Sequence, residues 1–173
     1  MTEPAYAAEP IDSQDAQALI TALWADLRDR YLGAAEVGEP DDERFGLNPY
    51  LADVTRADTS APRGVFIVGR VEGEPVACGA LRSTDVLGVG EIKRMYVVPS
   101  ARGNGVSRVV LARLEAEAER LGYAELRLET GIKQPEAMAL YESAGWAPIE
   151  KYPPWTEIEW SRCYGKTLGP VRP

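Results

Sequence analysis

Apolar positions at helical spacing dominate the early chain. Leu19, Ile20, Leu23, Trp24, Leu27 and Tyr31 recur at intervals of three and four, which places them on one side of a helix. Ser13 precedes the run and suits an N-cap, so the pattern predicts a helix over 13–32. Residues 33–63 are broken by glycine and proline, with one short helix expected around Glu43 to Leu51. From Val65 the pattern changes to β-rich runs. Val65 to Arg70 and Pro75 to Leu81 flank Glu72-Gly73-Glu74-Pro75, which reads as a hairpin. A turn at Leu87 to Gly90 leads to a third strand, Glu91 to Val98, continuing an antiparallel meander.

Pro99 to Ser107 is a turn and helix start. Val106, Val109, Val110, Leu114, Ala118 and Leu121 then share one side of a helix, and Gly122 ends it. Ala124 to Thr130 alternates Leu126 and Leu128 inward as a strand. Strand, helix and strand at this length form a crossover, so Glu91–Val98 and Ala124–Thr130 should be parallel. Pro135 suits the first turn of a further helix that stops at Ala144-Gly145. Trp146 to Ile149 and Glu157 to Leu168 supply late strands. No repeat or linker interrupts the series, so residues 1–173 read as a single α/β (α+β mixed) domain.

Composition narrows the chemistry. The 173 residues are 45% hydrophobic and 27% charged, a globular balance. A net charge of -8 disfavours nucleic acid and anionic membranes as partners. No apolar run approaches a membrane span, and MTEPAYAAEP lacks the regions of a signal peptide, so a cytoplasmic protein is expected. Cys78 and Cys163 lie far apart without a CxxC context and read as buried thiols in a reducing compartment. There is no histidine. That removes Ser-His-Asp and Cys-His catalysis and the usual zinc sites, and no metal is expected. A general acid or base must be Glu, Asp, Tyr, Cys, Lys or a water chain.

Within this acidic chain, Ile92 to Leu114 carries Lys93, Arg94, Arg102, Arg108 and Arg113 and no acid. The stretch includes Gly103-Asn104-Gly105 at a strand-to-helix turn. Unpaired N–H groups at a helix start, with glycines that allow close approach, suit an anion such as phosphate. They equally suit simple helix capping. A Walker A loop is absent, and Arg108 stands where a dinucleotide fingerprint needs its third glycine.

Arg102-Gly103-Asn104-Gly105-Val106-Ser107 resembles the [QR]-x-x-G-x-[GA] loop of the GCN5-related N-acetyltransferase (GNAT) superfamily, with Ser107 as a mild departure. Gln134 to Trp146 resembles that family's N-x-x-A-x-x-L-Y-x-x-x-G-[FY] segment, with Gln134 and Trp146 as substitutions. The order and spacing of the two also fit, across about Val65 to Leu168. The resemblance implies a GNAT-like fold: a mixed, mostly antiparallel sheet, flanked by helices and splayed between strands 4 and 5. It implies acetyl-CoA as co-substrate and transfer to a primary amine by direct attack in a ternary complex. Arg102 and the N–H groups of Gly103 to Ser107 would hold the pyrophosphate. The backbone of Met95, Tyr96, Val97 and Val98 would pair with the pantetheine arm. Gln134 would also border the cofactor.

For catalysis, Glu91 is the first base candidate. It stands four residues before Met95 and six before Val97, and so would share their face of the strand. A surface glutamate at a strand start is the plainer alternative. Glu129, on the parallel partner strand, is the reserve base or a contact for a cationic substrate. Tyr141 is the acid candidate, its phenol able to donate to a leaving thiolate, or else a core tyrosine. Trp155 is a candidate to line a pocket. Glu36, Glu39, Asp41, Asp42, Glu43, Glu150 and Glu157 suggest an acidic rim for a small-molecule or peptide amine, or ordinary solubilising charge. Two other readings stand beside this one: a transferase of another acyl group, and a non-catalytic acyl-CoA-binding regulatory module. Homodimers occur among relatives, but no interface can be assigned from sequence.

Overall fold

The computed structural model describes residues 4–32 and 54–169. The helix expected around Glu43 to Leu51, and the acids Glu36 to Glu43, lie outside them. In chain order the elements are β1 (Ala5–Ala8), α1 (Gln14–Leu32), β2 (Val65–Val71), β3 (Glu74–Ser83), β4 (Val89–Val97), α2 (Val106–Arg120), β5 (Glu125–Gly131), α3 (Pro135–Ser143), β6 (Ala147–Ile149) and β7 (Ser161–Thr167). The strands form one sheet in the order β1-β2-β3-β4-β5-β7-β6. Among the described strands, only the β4–β5 pair is parallel. No described helix is long and apolar enough to cross a membrane.

Helix boundaries follow local chemistry. Ser13 Oγ accepts the Ala16 N–H at 3.2 Å, capping α1 as its side chain suggests. The α2 helix starts after Gly105, whose φ of 76° closes the glycine turn. On α2, Val106, Val110, Leu111, Leu114 and Ala118 are buried. Val109, expected inside, is 40% exposed. The helix therefore turns its Val110–Leu111–Leu114 side to the sheet. Segment 150–160, expected in part as strand, is a series of turns before β7. The β1 strand was not expected: its exposed AYAA run carries no alternation to read, and β2 supplies its pairing.

Each sheet face carries its own core. Val65, Ile67, Leu81, Ile92, Leu126 and Leu128 pack with α2. Phe66, Val68, Cys78, Ala80 and Tyr96 pack with Leu19 and Leu23 of α1. These assignments reveal a break in the alternation of β4. Ile92 faces α2, but so do Met95 and Val97, whereas Tyr96 faces α1.

The cause is a β-bulge. Ala80 pairs with Lys93 and Cys78 pairs with Tyr96, so Arg94 and Met95 together oppose Gly79. Arg94 takes a φ of 57°, unusual for a side-chain-bearing residue. Its carbonyl accepts from the Cys78 thiol at 3.3 Å, so this cysteine completes the bulge as well as filling the core. Gly79 lies opposite it, and a Cβ there would stand 2.7 Å from Leu114 Cδ1 and 2.8 Å from Met95 Sδ, so those side chains would have to move. The extra residue inverts side-chain parity. Glu91 therefore does not share a face with Met95 and Val97, contrary to simple alternation.

The same region separates the parallel pair. β4 and β5 are in register only from Val89–Glu125 to Ile92–Leu128. Beyond this, β4 stays with β3 as far as Ala77–Val97. β5 stays with β7, through Glu129–Cys163 and Gly131–Ser161. The sheet thus splays between its fourth and fifth strands. There β4 turns an edge toward the gap, with no described strand beside it.

Candidate active site

Two cavities occupy the splay. One is lined by Asp26 and Arg30 of α1, Met95 to Val97, Arg102, Gly103, Gly105 to Ser107, and Gln134 to Tyr141 in part. The other is lined by Trp24, Leu27 and Tyr31 of α1, by Lys93 and Arg94, by Glu129 to Gly131, and by Trp155, Trp160 and Ser161. Leu23, Met95, Gln134 and Tyr141 border both. A ligand could therefore run from the glycine turn, along the open edge of β4, into an aromatic chamber.

The glycine turn leaves its backbone uncovered by described side chains. Gly103 and Gly105 take φ values of 79° and 76°, and no described atom lies within 4 Å of where their Cβ atoms would be. No described side chain caps the α2 N-terminus, so its first N–H groups have no such partner. Arg102 donates from Nε to the Val97 carbonyl at 3.0 Å and from Nη2 to Asp26 at 2.9 Å. Burial pushes the Asp26 carboxyl up, but Arg102 and Arg30 outweigh it and hold the group below its ordinary value. Asn104 turns its amide to the Ala101 and Arg102 carbonyls, and the Val98 N–H is used by the Val76 carbonyl at 2.9 Å. Of the expected cofactor residues, these two do not line the cavity.

Glu91 is elsewhere. It is 1% exposed and borders neither cavity. Arg82 donates to its Oε2 from Nε at 2.9 Å and from Nη2 at 2.6 Å. Tyr152 donates its hydroxyl to Oε1 at 2.8 Å. Both carboxylate oxygens are thus engaged. Tyr152 in turn lies against Arg127, whose Cζ is 4.0 Å from the ring centroid. Burial and the Glu91 charge push the Tyr152 phenol far above its normal range.

Glu129 borders the aromatic cavity. It accepts a hydrogen bond from Ser161 Oγ at 2.5 Å. Burial pushes its carboxyl above the ordinary range, against the opposing pull of Ser161 and the Lys93 charge. Tyr141, 5% exposed, stands at the junction of the cavities. Burial first, and the Glu129 charge second, raise its phenol, which stays protonated at neutral pH.

This architecture has solved counterparts. A structure from Klebsiella pneumoniae, assigned as an acyl-CoA N-acyltransferase, matches with a TM-score of 0.75 at 28% identity, over 96% of this chain and 98% of that one. The model of the acetyltransferase (GNAT) family matches residues 20–146. The chain belongs to the GNAT family. It is an acetyltransferase by that membership. Among relatives of this GNAT protein, an IAA acetyltransferase of Azospirillum brasilense is 37% identical over 118 residues, 63% of this chain and 77% of that protein. The uncharacterized N-acetyltransferase YsnE of Bacillus subtilis is 40% identical over 89 residues, 50% of this chain and 58% of that protein. PaiA N-acetyltransferase of Thermoplasma acidophilum, solved in complex with coenzyme A, shares the fold with a TM-score of 0.69 at 12% identity, over 96% of this chain and 100% of that one.

The sequence points to the first helix as part of the acceptor site, but the contribution of the bulge is not legible in it. Trp24, Leu27 and Tyr31 form one helical stripe, but a stripe does not say which cavity it enters. Lys93 and Arg94 were visible only as part of a basic run.

Proposed function

We propose that this protein transfers the acetyl group of acetyl-CoA to a primary amine by direct attack in a ternary complex. The observation that carries the reading is the junction at Tyr141, where the cavity at the glycine turn and the aromatic cavity meet. The α2 N-terminus and Arg102 hold the pyrophosphate. The open edge of β4 at Met95 to Val97 offers main-chain groups to the pantetheine arm. The bulge at Arg94 and Met95 brings backbone to the place where an oxyanion would form. Acetyl-CoA supplies an activated acyl carbon held as a thioester.

Glu129 is the general base in this reading. A buried carboxylate with a raised pKa takes a proton more readily than an exposed one, directly or through water. The amine nitrogen forms a bond to the thioester carbon, its proton passes to Glu129, and the carbon–sulfur bond breaks. Tyr141 then gives its phenolic proton to the departing sulfur and regains one through water, while Glu129 releases the amine proton to solvent. Glu91 acts instead as an anchor: through Tyr152 it ties the 150–160 segment, with Trp155 and Trp160, to the sheet.

Calorimetry tests the ligand. Acetyl-CoA and desulfo-CoA should bind and NAD should not. Release of free thiol with a pooled amine panel tests turnover. Binding without thiol release from any amine would make this a CoA-binding module, and no binding would reduce the turn to a helix cap.

A further inference from the structure

Among the described residues that line the aromatic chamber, Glu129 is the one acid. Glu150 and Glu157, read from sequence as part of an acidic rim, do not border it. Whatever holds the Glu129 carboxyl therefore holds the proposed base. Ser161 Oγ donates to its Oε1 at 2.5 Å.

That contact is built by strand pairing. Ser161 opens β7 and is fully buried. It stands opposite Gly131, while Glu129 stands opposite Cys163. The Ser161 and Glu129 side chains are thus diagonal neighbours on one face of the β5–β7 ladder. Gly131 offers no side chain to meet Ser161, and a Cβ there would collide with the Tyr31 hydroxyl. The start of β7 is itself tied down. The Ser161 N–H donates to the Ile158 carbonyl at 3.2 Å, and the Trp160 carbonyl accepts from the Ile132 N–H at 2.9 Å.

We propose that Ser161 is a positioning residue for acetyl transfer: its hydroxyl holds Glu129 in place and in the form that accepts the amine proton. The inference rests on the reading of Glu129 as the general base. Two properties of a hydroxyl suit the task. It donates to a carboxylate and accepts from a carboxylic acid, so it can stay bonded to Glu129 before and after the proton arrives. As a neutral donor it also favours the ionised form less than a bonded cation would, so the carboxylate stays basic enough to take a proton.

The surrounding charges agree with this role. Burial pushes the Glu129 carboxyl up, and Ser161 opposes that most. Lys93 of β4 and Lys151 of the 150–160 segment add to the lowering, and Glu91 of β4 to the rise. Arg94 lines the same chamber. Tyr31 of α1, Tyr141 of α3 and Cys163 of β7 also face Glu129, and burial raises all three, so they are neutral at neutral pH.

The test reads the proton on Glu129 directly. The intact protein, isotope-labelled at its glutamate carboxyls, is titrated by NMR, and Glu129→Gln identifies the Glu129 signal by its loss. In Ser161→Ala that signal should titrate at higher pH than in the wild type. In Ser161→Thr, which keeps a hydroxyl, it should stay near the wild-type position. Should Ser161→Ala fail to fold, Ser161→Cys, close in shape and a much weaker donor, carries the same expectation. The titration needs no turnover, so it decides the Ser161 contact whatever the acceptor is. Thiol release from acetyl-CoA with the amine panel is the second readout. At neutral pH Ser161→Ala should lower kcat by about tenfold, the scale of one hydrogen bond to a charged group, and higher pH should restore most of it. In a Glu129→Gln background the same substitution should cost little more, since Ser161 acts through Glu129. An unmoved Glu129 titration in Ser161→Ala would overturn the proposal, as would a loss of rate that multiplies with that of Glu129→Gln. A wild-type acid limb in Glu129→Gln would remove the base itself. A lost limb there, with an unmoved one in Ser161→Ala, would remove only the role of Ser161.

Discussion

Tyr152, in the turns before β7, donates its hydroxyl to Glu91 of β4 at 2.8 Å, 61 residues apart in sequence. The bond ties the 150–160 segment, which carries Trp155 and Trp160, to β4. Glu91→Gln should therefore act on stability. It removes the charge that faces Arg82 in a buried site, a loss of about 3 kcal/mol by analogy with other broken buried pairs. Urea denaturation measures it. Once assayed at a temperature where the variant is folded, the acid limb of its pH–rate profile should coincide with that of the wild type. A displaced limb would return Glu91 to the role of base.

Glu129→Gln should show the opposite pattern. Loss of a general base lowers kcat by about a hundredfold or more, and the acid limb of the profile should disappear. Stability should rise. Folding raises the Glu129 pKa above its ordinary value of 4.5, so ionisation costs the native state stability. That cost is absent below the unfolded pKa and grows as pH rises through the folded one. Thermal melts over a pH series starting below 4.5, the group's ordinary value, should show the variant gaining on the wild type toward the alkaline end.

Tyr141→Phe should lower kcat by about ten- to a hundredfold while leaving acetyl-CoA affinity nearly unchanged. The wild-type phenol lies above its ordinary value of 10.0 and stays protonated throughout a neutral assay range. No alkaline limb there should belong to it. Equal losses of turnover and affinity would mean that the ring, which packs 6.0 Å from both Trp146 and Tyr164 by centroid distance, matters more than the hydroxyl.

Arg102, proposed to hold the pyrophosphate, is engaged by Asp26 at 2.9 Å, so Asp26 would compete with that phosphate. Asp26→Asn should tighten acetyl-CoA binding, and Arg102→Gln should weaken it by about tenfold, the scale of one charge-assisted contact. Calorimetry at two salt concentrations checks both. The Asp26 variant should also show the steeper salt dependence, since its guanidinium then answers mainly to the ligand.

What the chain determines locally is legible in the order of its residues. The 3.6-residue period places α1 and α2, β-rich runs between turns place β2 to β4, and the alternation of Leu126 and Leu128 places β5. Gly103, Gly105 and Arg102 mark the turn, and Tyr141 stands out by its motif. These features depend on neighbours within a few residues. The face to which Glu91 points does not. One extra residue in β4, opposite Gly79, reverses its relation to Met95, and a bulge is a property of two paired strands rather than of either one. The splay, the meeting of Trp24 with Trp155 at one chamber, and the placing of Glu129 there instead of Glu91 arise in the same way. They follow from how β4 leaves β5, and from where α1 and the 150–160 segment pack once it has. Long-range contact decided the chemistry of the site because burial and charge pairing, which set each carboxylate's proton affinity, exist only after the chain has closed around it.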